Sequence, residues 1–369
     1  MGDVSRGFRK VLTGACLLSA CAIALSSCGG ANDKSSGGKV KNLQELNVLR
    51  NFTSYSNALT MIAYEEGFYK DYGLDIKYSG MQGSSLDFIG ALISKKIEVL
   101  NDGGTAGILT MMEKGEDGSD NDKMVIIGGI MSEGAALITL PENASKWSEF
   151  TNETLAGKKI GVTRASSGDI TFRTYLTDKG VDKTKYTMVE LGAPPTVIEA
   201  VRKGEVDAGI VYVRFRRIAQ TSGLTIVKHI DELVPAFTCC RIAVRRETID
   251  AKRDELVAFL KGQIKAYRVY VNDKEKTIKY VTKNVEVDEA LIRDELYDFG
   301  HFNIVPDPYK KRVETFYKGM TGIGYTQGTL DLEKRIDVTL YRDALEQVLA
   351  EEPNDPVFLE LKRIHAEYN

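Results

Sequence analysis

"GVTRASSGDITFRTYL", Gly161 to Leu176, reads as the end of a strand, a turn of small polar residues and the opening of a helix. Residues of this kind before a helix leave backbone N–H groups unpaired and pointing outward. The positive end of the helix dipole then makes the spot attractive to oxyanions and other acceptors. A nucleotide phosphate, a carboxylate, a sulfonate or an amide carbonyl would each suit it, so the turn establishes a strand-to-helix step before it establishes a ligand.

The same step recurs on both sides. Downstream run "YTMVEL", "PPTVIEAVRKG", "VDAGIVY" and "LTIVKHI"; upstream run "LNVLRNF", "NALTMIAYEEGFYKDYG", "LDIKYS", "SLDFIGALISKK", "IEVLN" and "MVIIGGI". Strands alternating with helices predict βαβ units, hence mainly parallel sheets covered by helices. The α/β set occurs twice, and "GALISKKIEVLNDG" and "IEAVRKGEVDAGIV" share the same run of apolar helix, basic turn, acid and buried strand. Between the sets, "AALITL" (Ala135 to Leu140) and "CRIAV" (Cys240 to Val244) are expected to cross between two lobes and form a hinge. After Glu247 the pattern turns helical, with Leu256, Phe259, Leu260 and Ile264 marking one apolar face, and "DALEQVLAEE" and "VFLELKRIHAEY" continue it as a helical tail.

Length agrees with two lobes, since 369 residues exceed what one core usually organises. The formal net charge is −3, and no basic patch signals nucleic-acid binding. Arg6, Arg9 and Lys10 precede an apolar run from Val11 to Leu25 that ends in "LSSC" at Cys28. The run, about 15 residues, is short of the roughly 20 that span a bilayer, so it reads as a secretory signal with a lipobox. Such a segment resembles those of bacterial lipoproteins, which implies lipidation of Cys28 as the mature N-terminus. "GGANDKSSGGK" would then be a flexible tether holding the protein at the outer face of a membrane.

Cys16 and Cys21 leave with the signal, so Cys239 and Cys240 remain as neighbours, and a bridge between adjacent residues is strained. They are read as small buried side chains in a strand. With only His229, His301 and His365 and no second Cys pair, metal-ligand spacing is absent from the sequence. No G-x-S-x-G, H-E-x-x-H or P-loop lysine pattern occurs.

At "IAYEEGFYKDYGLDIKY" (Ile62 to Tyr78), "LAGKKIGVTRASSGD" (Leu155 to Asp169) and "AVRKGEVDAGIVY" (Ala200 to Tyr212), the chain resembles the solute-binding lipoproteins of nitrate/sulfonate/taurine-type ABC importers. Binders of the pyrimidine precursor of thiamine belong to the same group. The resemblance implies a two-lobed periplasmic-binding-protein fold of type II with a helical C-terminal tail. The expected layout is signal 1–27, tether 28–44, lobe I from 45–134 and 241–330, lobe II from 135–240, and a C-terminal extension 331–369. It further implies a monomer without cofactor that hands a small solute (sulfonate, carboxylate or pyrimidine-like) to a permease and its ATPase. Two alternatives stand beside it: an exported ligand-sensing lipoprotein, and an enzyme resembling the thiamine-pyrimidine synthases on the same fold.

Open α/β sheets bind ligands beyond the carboxyl ends of their strands. Candidate ligand residues there are Ser54, Tyr55 and Ser56; Gly83, Ser84 and Ser85; Gly104 and Thr105; Arg164, Ser166, Ser167 and Gly168; and Tyr212 and Arg214. Two readings stay open for the first group, a ligand-facing hydroxyl pair with an aromatic plate or an ordinary helix cap. Asp87 and Asp169 fall in the first turn of helices, where they either stabilise the dipole or face inward and accept hydrogen bonds from an amine or heterocycle. Arg164 and Arg214 favour an acidic ligand. At least two of Arg214, Arg216 and Arg217 are expected on a solvated basic face. In the family the segment before Arg214 commonly reads Trp-Glu-Pro; Tyr212 and Val213 depart from that pattern.

Overall fold

The computed structural model describes residues 43–115 and 123–369. The signal segment, Cys28 and nearly all of the tether lie outside the described residues. Described residues form β1 (Gln44–Asn51), α1 (Ala58–Glu65), α2 (Phe68–Asp71), β2 (Leu74–Met81), α3 (Ser85–Ile93), β3 (Val99–Gly104), α4 (Thr105–Lys114), β4 (Met124–Glu133), β5 (Ala135–Thr139), β6 (Lys158–Thr163), α5 (Ser167–Asp178), β7 (Tyr186–Leu191), α6 (Pro194–Arg202), β8 (Ala208–Tyr212) and α7 (Arg214–Thr221). Then come β9 (Thr225–His229), β10 (Thr238–Arg245), α8 (Arg246–Asn272), α9 (Lys274–Asn284), α10 (Glu289–Arg293), β11 (Phe302–Ile304), α11 (Lys310–Gly322), α12 (Leu332–Arg335), α13 (Val338–Glu351) and α14 (Pro356–Tyr368).

The strands build two sheets, in the orders β11-β4-β10-β3-β1-β2 and β7-β6-β8-β5-β9. In the first, β1 pairs in parallel with β2 and β3, while β10 runs antiparallel to β3 and β4. In the second, β6 pairs in parallel with β7 and β8, and β5 runs antiparallel to β8 and β9. Each sheet is thus a set of like-directed strands with one reversed strand in its interior, and the first also carries the short reversed strand β11 at its edge. Period-two alternation explains why these strands are buried on both faces. Leu46 and Val48 enter the core under α1, α8 and α13, whereas Leu49 enters the core under α3 and α4. Leu137 and Ile138 divide in the same way between the two cores of the second sheet.

The expected crossing segments are the reversed strands themselves. Ala135–Thr139 is β5 and lies within the second sheet; Cys240–Val244 lies within β10 of the first. The chain instead passes between the sheets at Glu133–Gly134, both with positive φ (+70° and +88°), and at Ala236–Phe237. The crossings are joined, since Glu133 N donates to Phe237 O (2.9 Å) and Ala236 N to Glu133 Oε1 (2.7 Å). Sequence periodicity marks an extended run but not which of its residues turns.

The apolar face predicted for α8 is fully buried at Leu256, Phe259, Leu260 and Ile264. α13 packs along α8 and places Leu340, Tyr341, Ala344, Leu345 and Val348 in the first sheet's core, so the terminal helices are part of that core. α11 reaches further. It packs against α4 and also against α5, where Ile170 joins the cluster of Val313, Phe316 and Met320 and Thr174 rests on Gly319.

Candidate functional site

Five helices begin on one cleft between the sheets. Their N-terminal flanking residues, Ser84 for α3, Gly104 for α4, Ser166 for α5, Ala193 for α6 and Val213 for α7, all line it. The cleft encloses about 730 Å³ and takes the strand-end loops of both halves. Helix starts therefore gather around one volume, and their dipole ends favour acceptor groups and negative charge there.

Thirteen of the fourteen candidate ligand residues line this cleft, as do Gly107, Gly192, Pro194 and Pro195. Thr105 is the exception; it is fully buried in the first turn of α4, with its hydroxyl unpartnered. Tyr55 lines the cleft without being exposed to solvent. It is buried at the cleft wall, its hydroxyl makes no hydrogen bond, and burial raises its pKa. Tyr212 and Phe215 meet edge to face at 5.8 Å on the opposite side. Neither first-turn acid lines the cleft. Asp87 accepts from Ser84 N and Ser84 Oγ (both 2.7 Å) while Ser84 Oγ accepts from Asp87 N (3.4 Å), a reciprocal box at the surface. Asp169 is fully buried and held by Arg173 (2.7 Å).

The acids that do line the cleft are two that the sequence reading missed, Asp102 and Glu133. Asp102 accepts from Asn51 Nδ2 (2.8 Å), Ser56 Oγ (2.5 Å) and Ser54 Oγ (3.4 Å). Burial pushes both carboxyls above their ordinary range. The signal for Asp102 was present in "EVLNDG", an acid near the end of an apolar strand, whereas Asp207 in "EVDAGIV" precedes its strand and pairs with Lys158.

The arginines depart from expectation. Arg214 lines the cleft and lies over the Phe215 ring. Arg216 is fully buried and ion-paired with Glu295, and Arg217 is paired with Asp294. Arg216 is therefore off the surface, and the partly exposed Arg217 is also paired, both with acids about eighty residues later. Arg164 lines the cleft and is mostly exposed, 3.8 Å from Glu190. Cys239 and Cys240 are half-buried cleft residues with their sulfurs 3.3 Å apart as free thiols, not buried fillers. Across the cleft, Ser167 Oγ donates to Cys239 O (3.1 Å) and links α5 to β10.

Two sheets, interior reversed strands and a cleft beyond the strand ends define a two-lobed periplasmic-binding-protein fold. Residues 56–277 match the family model described as NMT1/THI5 like, and the chain belongs to that family. The periplasmic nitrate-binding protein NrtA of Synechocystis PCC 6803 is similar with a TM-score of 0.67 at 17% identity, over 83% of this chain and 89% of its own. The putative periplasmic sulfonate-binding protein SsuA of Methylobacillus flagellatus KT gives 0.66 at 14%, over 85% and 97%. The periplasmic aliphatic sulphonate-binding protein SsuA of Escherichia coli gives 0.62 at 15%, over 79% and 92%. Comparison with curated protein sequences returns no match.

Proposed function

We propose that this protein is the extracytoplasmic solute-binding lipoprotein of an ABC importer, anchored through Cys28 and delivering a small organic solute to a membrane permease without making or breaking a bond. The observation that carries this reading is the convergence of five helix N-termini on one cleft between two sheets. The similar solved structures include proteins named for nitrate and sulfonate binding, which supports the same class of ligand here.

The lining narrows the solute. Arg164 and Arg214 with the N-termini on the second half suit a sulfonate or carboxylate. Asp102 with Ser54 and Ser56 on the first half suits an N–H donor, and Tyr55, Phe88, Tyr212 and Phe215 suit a flat ring between them. A small heteroaromatic acid satisfies all three. On this reading residues 45–134 with 241–330 and residues 135–240 are the two lobes that close on it.

The test is a thermal-shift screen of the full chain against sulfonates, nitrate, aromatic carboxylates and pyrimidines. A ligand at one hundred times its Kd stabilises by about 2.7 kcal/mol. Unmoved melting curves across all four groups would overturn the proposed ligand class. Lipidation is checked separately by palmitate labelling in cells, which Cys28→Ser should abolish.

A further inference from the structure

β9 of the second sheet ends at His229, and a short 3-10 turn, Ile230–Glu232, carries Asp231. His301 stands in the approach to β11 of the first sheet. The two imidazoles lie parallel, with ring centres 3.5 Å apart, and His301 Nδ1 is hydrogen-bonded to Asp231 Oδ2 at 2.8 Å. Nitrogen and carboxylate atoms of His229, Asp231 and His301 all fall within 4.8 Å of one another. Asp231 Oδ1 is buried without a partner beside His229, a residue only 9% exposed. An unpaired buried carboxylate oxygen is unfavourable, so the fold keeps an acceptor open beside two imidazoles. Two imidazoles and a carboxylate form a donor set suited to zinc and its neighbours.

We propose that His229, Asp231 and His301 bind a divalent transition ion of the zinc class, with water completing the coordination. None of the three lines the solute cleft, so this is a second site. The rings must splay from their stacked position for their lone pairs to converge. The charges around them permit it. Arg216, whose Nη1 donates to the Gly300 and His301 carbonyls, is ion-paired with Glu295. Glu232 is engaged by Lys228, and Glu133 accepts from Ala236 N. Two ligands come from the second sheet's end and one from the first sheet's approach, and Gly134 N donates to the His301 carbonyl (2.9 Å). A bound ion would therefore brace the two halves beside the point where the chain crosses between them. Sequence spacing hides the site, because His301 lies 70 positions beyond Asp231.

The experiment is titration of the purified full chain with zinc and with cobalt(II), followed by visible absorption and thermal melting. The expected result is saturable cobalt binding with ligand-field bands of nitrogen and oxygen ligation, no sulfur charge-transfer band, and a raised melting point. Asp231→Asn and His301→Gly should each weaken binding by at least about tenfold. His301 has φ of +62°, which glycine accepts freely, so that variant removes the imidazole without straining the turn. Circular dichroism checks that both variants fold. Absence of saturable binding to the folded wild-type chain, a sulfur band carrying the signal, or unchanged affinity in both folded variants would overturn the proposal.

Discussion

Asp102 gathers three donors at the cleft floor, and each of them also shapes the loop after β1. Replacing it with alanine leaves Asn51 Nδ2 and Ser56 Oγ without their acceptor. Asp102→Ala should therefore lower unfolding free energy by roughly 1–3 kcal/mol, read by denaturant melts. An unchanged midpoint would mean that water replaces the carboxylate and that the network is dispensable. Asp169 gives a pH prediction. Burial raises its pKa from 3.8 to about 6 despite the Arg173 partner, so the native state holds this proton more tightly than the unfolded chain does. The stability this group contributes is present below pH 3.8 and is lost as pH rises through about 6. Asp169→Asn should flatten that part of the melting-temperature profile, and an unaltered slope between those two values would contradict the assignment. The hydroxyls and glycines of the cleft were legible because caps and turns carry local signatures. Asp102, Glu133 and the Arg216–Glu295 pair were not, since partners brought together across 46 to 103 positions leave no spacing to read.

Helix starts are the elements on which the cleft depends. Ser166 Oγ accepts from Asp169 N (3.2 Å) and caps α5. Ser166→Ala should cost about 1 kcal/mol of stability, and a double-mutant cycle with Asp169→Asn would show whether the cap and the acid act together. At the other end of the cleft, Val213 caps α7 with φ of +45°, a conformation a β-branched side chain adopts only under strain, and its N–H donates to Gly134 O (2.7 Å). Val213→Gly should relieve that strain and raise the melting temperature; a fall would show that the side chain's packing outweighs its backbone cost. The alternation of strands and helices was readable from "LNVLRNF" to "CRIAV" and the helical run after Glu247 was too, but the short strand β11 within it was not. The reversal of β5 and β10 was not, because an apolar strand buried on both faces looks the same in either direction.

Across the whole molecule the Arg216–Glu295 pair joins α7, which packs on the second sheet, to the segment leading into β11 of the first, with both side chains fully buried. Arg216→Met strands the Glu295 carboxylate and should cost about 3–5 kcal/mol, while Arg216→Met combined with Glu295→Leu should recover much of it. Equal losses in the single and double variants, measured by chemical denaturation, would refute a charge-pairing role.

Gly319 sets how closely α11 can rest on α5: a Cβ there would come within 2.9 Å of Thr174. A valine at this position would act as a wedge between α11 and α5 without changing any residue that lines the cleft. Small-angle scattering should then show Gly319→Val as the more expanded particle, and on the proposed function its solute should come off faster, which would put control of grip on the far side of α5.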